Sequence, residues 1–383
     1  MSRCSATRQR LSLFALPALA LAVLPPMSLA DPEVAGSAPT PQVPVEVVGS
    51  VTFHALATIV AARASLTPDG ADYQLRPTGT LAGIGAFCAG VGLGFPEVVN
   101  AARRMRDDEI SECRAHGVDG IVEVKVGYDG VALATLKGSG GILGQAPEGA
   151  GVGVGLDLGV RDLYLALAAQ VPDPNGGEQL VPNPYRTWRE VNPDLPDVPI
   201  RVLGSEDASG TRDTLAELGL EAGCAQVEAV RHIIGRNRHR LAEVCRPLRA
   251  DGAWREVPGQ GAELLEALRA DPEAVAVTGW HNLFGKRVGL KTLAVEGVPP
   301  SPLAIATGMY PLIRPLYVYF KKAHLESLPA IQRYVAEVTS DAAWGDDGYL
   351  TAAGMVPMMV DERQKYGYIA EHWVEPACPP FCR

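Results

Sequence analysis

At 383 residues the chain is long for one hydrophobic core and suits two domains of the usual ~100–200 residues each. Its 34 basic against 44 acidic side chains give a net charge of -10, which argues against nucleic acid or an anionic membrane surface as a partner. An anion bound by such a chain has to be held by local groups, against the overall field.

The first thirty residues divide into a basic start (Arg3, Arg8, Arg10), an apolar run from Leu11 to Leu24, and a small-residue ending, Ser28-Leu29-Ala30. That pattern predicts a cleavable signal peptide over residues 1–30. The apolar run is too short for a transmembrane helix, and no later stretch approaches the ~18 uncharged residues that one requires. Cys4 precedes the run and no Cys follows it at the cleavage point, so a lipobox is lacking and release into the periplasm or the medium is expected. Residues 31–44, rich in Pro, Ala and Gly, read as a flexible lead-in.

Folding is expected to begin at Val45 with a recurring unit of strand, small polar turn and helix. In the first unit Val45–Val48 is the strand, Gly49-Ser50 the turn, and Thr52-Phe53-His54 the start of a helix. In the second, Asp72–Leu75 leads through Thr78-Gly79-Thr80 to a helix beginning near Ala82 and reaching Cys88. In the third, Ile200–Leu203 leads through 204–210 to a helix opening at Thr211-Arg212-Asp213. Repeated units of this kind predict an α/β fold with helices packed on open sheets. Each turn lies where a helix N-terminus exposes unpaired N–H groups, a favourable place for an anion.

Between the second and third units, Ile121–Val126 and Val131–Ala134 alternate like two strands around Tyr128-Asp129-Gly130. The Gly-rich stretch 138–159 lacks both a Gly-Lys-Ser/Thr ending and a Gly-x-Gly-x-x-Gly opening, so it reads as a plain loop. Asn183 to Asp197 is a Pro-laden connector, and the arginines from Arg231 to Arg249 read as a solvated face. Pro315–Phe320 is a further strand and Pro329–Val338 a helix.

Six cysteines follow the signal peptide, an even number in a chain addressed to an oxidising compartment, so disulfides are expected. Nearness suggests Cys88–Cys113, Cys224–Cys245 and Cys378–Cys382, while the sequence leaves the connectivity open. The cysteine spacings and scattered histidines carry no metal-ligand motif. An enzyme is disfavoured too: Ser139 lacks the first Gly of a nucleophile elbow, and no histidine has a local base motif.

Several passages together resemble the phosphate-binding proteins of phosphate ABC transporters, in their longer variant. They are Gly49-Ser50-Val51-Thr52-Phe53, Thr78-Gly79-Thr80 leading to Phe87-Cys88-Ala89-Gly90, and Asn100-Ala101-Ala102-Arg103 leading to Asp108-Glu109-Ile110. Tyr128-Asp129-Gly130, Asn183 to Trp188, Ser209-Gly210-Thr211, Tyr310-Pro311-Leu312, Lys321-Lys322-Ala323 and Trp344 to Leu350 continue the series. Their order spans nearly the whole mature chain. The resemblance implies a two-lobed periplasmic-binding-protein fold of type II, with residues 45–133 and 316–383 in one lobe and 134–315 in the other. The two hinge crossings are placed near Val131–Leu136 and Arg314–Tyr319.

It implies further that the chain captures inorganic phosphate for an ABC transporter permease, as a monomer, without cofactor or catalysis. A binding protein for another oxyanion, or a scavenger or sensor, stays open beside it. Thr52 and Phe53 match residues that offer a hydroxyl and backbone N–H groups, Thr80 a hydroxyl, and Ser209, Gly210 and Thr211 the contribution of the opposite lobe. In the best-known branch an Asp accepts the proton of the bound phosphate and an Arg pairs with the anion; these align with Ala102 and Ser205. Arg103 is the expected replacement for the missing positive charge, with Arg212 a second candidate. The same Thr and Ser residues also fit ordinary helix caps.

Overall fold

The computed structural model describes residues 44–66, 71–92, 94–138, 157–205, 210–235, 238–258, 262–283 and 289–375. All of them fall within one compact unit that starts at Gln42. The expected signal peptide, the lead-in up to residue 43, most of the Gly-rich stretch, Ser209, and the expected Cys378–Cys382 pairing lie outside the described residues.

Among the described residues nine strands make one curled sheet: β1 (Val45–Gly49), β2 (Tyr73–Arg76), β3 (Val98–Ala101), β4 (Ile121–Leu136), β5 (Val202–Ser205), β6 (Trp254–Val257), β7 (Val275–Gly279), β8 (Leu290–Thr292) and β9 (Ile313–Lys321). Their order is β2-β1-β3-β9-β4-β7-β5-β6, with β8 also paired to β4. β1 runs parallel to β2 and β3, β5 runs parallel to β6 and β7, and β9 is antiparallel to both of its neighbours. The β-branched, two-sided burial of β1, β3 and β7 is what parallel strands covered on both faces require.

The two strands expected around Tyr128-Asp129-Gly130 are a single one. β4 pairs with β9 from Ile121 to Gly130, then with β7 and β8 from Val131 to Leu136. It changes partner without turning, because Tyr128 is pinned in extended form by Val356. Their backbones exchange two hydrogen bonds of 2.8 Å. β4 is thus one crossing between the halves of the sheet, and the chain returns through Leu312 into β9. The crossings touch: the Val131 N–H donates to the Leu312 carbonyl at 2.8 Å, and the Tyr310 hydroxyl donates to the Val131 carbonyl at 2.8 Å. This is a mixed α/β fold on a curled sheet, the class that the resemblance implied.

Helices α1 (Val51–Ala64), α2 (Thr80–Cys88) and α3 (Asp107–Ala115) follow β1, β2 and β3. After β5, an unbroken helical run from Gly210 to Gln226 is α-helical at both ends and a π-helix over Leu215–Glu221. α2 starts two residues before the expected Ala82, since tertiary contacts seize its first turn: the Gly79 N–H donates to Gly49 O at 2.8 Å, and Thr80 Oγ1 accepts the Ala102 N–H at 3.1 Å. Disulfides Cys88–Cys113 and Cys224–Cys245 are formed. The first ties α2 to α3, and each closes a loop of a size that stabilises by about 3 kcal/mol.

The solvated face expected for the arginines fails at Arg249, which is buried. Its guanidinium donates to the Ala166, Asn183 and Tyr185 carbonyls and pairs with Asp251 at 2.6 Å. Four acceptors around one planar fork offset the desolvation of its charge. No helix among the described residues is long and apolar enough to cross a membrane.

Candidate functional site

The carboxyl ends of β1, β2 and β3 feed three turns that lie side by side, which is where open α/β sheets form their clefts. Gly49 makes the first turn possible. Its φ is +119°, and a Cβ there would fall 2.0 Å from the Asn100 carbonyl oxygen. That proximity lets the Ser50 N–H donate to the same oxygen at 2.7 Å. Ser50 then caps α1, its Oγ accepting the Phe53 N–H at 3.2 Å. Capping of α1 therefore falls to Ser50, and Thr52 is left for other work. Thr80 is likewise no cap, because Gly79 precedes α2 and the Thr80 hydroxyl holds the β3 turn at Ala102.

Facing these turns is the start of the Gly210–Gln226 run. Together they line a cavity of about 260 Å³ whose walls include Ser50, Thr52, Thr80, Ala102, Arg103 and Gly210. The contact between the two sides is close, for a Cβ at Gly210 would fall 1.6 Å from Thr52 Oγ1. That hydroxyl is buried and has no hydrogen-bond partner among the described residues. A buried hydroxyl that finds no partner costs about 1–3 kcal/mol.

Four arginines reach the cavity, Arg103, Arg106, Arg246 and Arg314, beside Asp213 and Glu217. Arg103 is gripped by Glu109, with Nη1 and Nη2 at 2.8 and 2.6 Å from its two oxygens. Glu109 also accepts the Arg106 N–H at 2.9 Å, which caps α3. Burial pushes the Glu109 carboxyl up, but the hydrogen bond and charge of Arg103, joined by Arg106, hold it below the usual carboxylate range. The same pairing with Glu109 raises Arg103. Arg246 is paired with Glu221 at 2.5 Å.

Arg314 is set deepest. It is 3 % exposed, on the strand where the chain re-enters the first half of the sheet. Its Nη2 lies 2.8 Å from Asp129 Oδ2, and Nη1 donates to the Gly210 carbonyl and, at 2.7 Å, to Thr214 Oγ1. Asp129 also accepts the Gly130 N–H at 2.8 Å and has His281 Nδ1 at 3.5 Å. Burial alone would raise the Asp129 carboxyl, yet the charge of Arg314 and the His281 hydrogen bond hold it far below its ordinary value.

Of the residues singled out in the sequence, Thr52, Thr80, Arg103 and Gly210 come together around the cavity. Phe53 is in the core with its N–H directed to Ser50, and Thr211 is buried one residue inside the helix. Arg212 turns to Glu256 on β6 and does not line the cavity. Ser209 lies outside the described residues. Ser50, Asp129 and Arg314 were not singled out. A usable signal was present, since Asp129 and Arg314 are opposite charges inside otherwise apolar strand patterns, and buried charges come in pairs. Among the described residues no cluster of three or more His, Cys, Asp or Glu side chains is placed to hold a metal.

Residues 34–342 match the family model of the PBP superfamily domain. Protein SphX of Synechocystis sp. is 20% identical over 317 residues, covering 81% of this chain and 77% of that one. A possible phosphate binding protein from Planctomyces limnophilus is similar in structure, with a TM-score of 0.61 at 21% identity over 86% of this chain and 98% of the other. An ABC-type phosphate transport receptor from Vibrio cholerae gives 0.55 at 13% identity, over 82% and 99%.

Proposed function

Since this chain belongs to the PBP superfamily, we propose that it is an exported solute-binding protein that closes on inorganic phosphate and delivers it to an ABC transporter permease. It works as a monomer. The lobes would comprise residues 45–133 with 316–383, and 134–315, hinged where β4 and β9 run together.

The observation that carries this reading is the unpaired Thr52 hydroxyl, buried against Gly210 of the opposite wall in an arginine-lined cavity. A dehydrated oxyanion needs many fixed donors, and hydroxyls, backbone N–H groups and guanidinium N–H groups provide them. Thr52, Thr80 and the start of the Gly210 helix, with Ser209 and Thr211, would surround the anion. The Phe53 N–H, which donates to Ser50 Oγ at 3.2 Å, would turn from it to reach the anion, and Arg103 adds positive charge at the rim. Phosphate is the preferred anion because proteins of this fold from Planctomyces limnophilus and Vibrio cholerae are described as phosphate binding or transporting.

Thr52→Val tests the reading. A hydrogen bond to a charged group contributes roughly 1.5–3 kcal/mol, so phosphate should bind about 10- to 100-fold more weakly by calorimetry. The variant's thermal midpoint without phosphate should stay level or rise, because an unsatisfied buried hydroxyl has been removed. Unchanged affinity would refute the site.

A further inference from the structure

We propose that Arg314, on the hinge strand, is the cation that meets the bound anion, and that Arg103 plays the lesser part. This rests on the reading of the cavity as an oxyanion site and names the charge within it.

The two arginines differ in burial, since each is held two-pronged by a carboxylate. Arg103 pairs with Glu109 through both terminal nitrogens, and its side chain is 21% exposed. Solvent screens the field of a guanidinium exposed to that degree. Arg314 is 3 % exposed. Of its five N–H donors, Nε and one on Nη2 go to Asp129, and two on Nη1 go to Gly210 and Thr214. One Nη2 hydrogen has no acceptor among the described residues.

Position favours Arg314 as well. A Cβ built on Gly210 would lie 1.6 Å from Thr52 Oγ1 and 3.1 Å from Arg314 Nη1. The unpaired hydroxyl and the buried guanidinium therefore both lie against Gly210, where the opposed walls meet. A tetrahedral oxyanion in the cavity beside that contact would take donors from α1, from the Gly210 helix and from the hinge at once. Asp129 serves as the positioning residue: its Oδ2 accepts from Arg314 Nε and Nη2 and lies 3.5 Å from His281 Nδ1. Arg314 also bonds the Gly210 carbonyl, so drawing the guanidinium toward an anion draws the opposite wall with it. Charge recognition and closure are coupled through one side chain.

The test compares phosphate affinity in wild type, Arg314→Gln, Arg314→Lys and Arg103→Gln, measured by calorimetry on protein stripped of anion. Arg314→Gln should weaken phosphate at least about 30-fold, Arg314→Lys should recover part of that loss, and Arg103→Gln should lose less than either. If Arg314→Gln fails to fold, the double variant Arg314→Gln with Asp129→Asn leaves no unpaired buried charge and should show the same loss. An Arg314→Gln or double variant that binds as wild type does, or an Arg103→Gln variant that loses more, overturns the assignment alone. A folded wild-type protein that binds no phosphate overturns the proposed function with it.

Discussion

Replacing Gly210 by Val should weaken phosphate binding by at least ~100-fold, or about 2.7 kcal/mol, while the protein stays folded. The cause is steric and specific to the contact between the walls. Any Cβ at 210 would stand 1.6 Å from Thr52 Oγ1 and 2.9 Å from Thr52 Cβ, distances no packing can absorb. The walls must part, and the donors on α1 and on the Gly210 helix then no longer reach one anion together. Residue 210 is the first of the helix, where an extra side chain carries little intrinsic helix penalty, so circular dichroism should be unchanged. Small-angle scattering should show a larger radius of gyration that phosphate does not reduce. Wild-type affinity in Gly210→Val would mean that this contact has no role in binding.

The second large effect is expected at Asp129. Removing its carboxylate by Asp129→Ala leaves the Arg314 guanidinium buried without its counter-charge, a change that typically costs 3–5 kcal/mol. Urea titration should show that loss as a lower midpoint with an unchanged slope. The folded-state pKa of Asp129 is depressed below the unfolded value of about 3.9. Its contribution is therefore fully present above that value and disappears as pH falls toward the folded pKa. Wild-type stability should fall on acidification below about pH 4 more steeply than that of Asp129→Asn, which has no proton to gain there. Parallel pH profiles would show that the Asp129–Arg314 pair contributes nothing to stability.

The parts of the fold that local pattern determines were legible in the sequence. β1 and α1 follow from Val45 to Val48 and the Gly49-Ser50 turn, and the helix Pro329–Val338 begins at the proline that marks it. Disulfides Cys88–Cys113 and Cys224–Cys245 are two of the pairings that nearness suggests, though the sequence leaves the connectivity open. What depends on distant partners was not legible. Tyr128-Asp129-Gly130 has turn chemistry, yet Val356 holds it extended and makes one strand of two patterns. Arg249 has the spacing of a surface arginine, yet the carbonyls of Ala166, Asn183 and Tyr185, a long way off in sequence, draw it inside.

The site divides the same way. Thr52, Thr80 and Gly210 stand next to strand ends and are found by motif. Arg314 and Asp129 acquire their meaning only when β4 and β9 come side by side and the Gly210 helix is laid across them. Arg212, directly beside a motif, is carried by the helical twist to Glu256 instead. Adjacency in sequence places a backbone, but the facing of a long side chain is decided by the elements around it.

The central claim is that the cavity between the walls holds phosphate. The most direct measurement is a calorimetric titration of the mature protein, stripped of bound anion, with phosphate at neutral pH. The account predicts a saturable single-site isotherm with a submicromolar dissociation constant. A folded protein that gives no phosphate isotherm would contradict it.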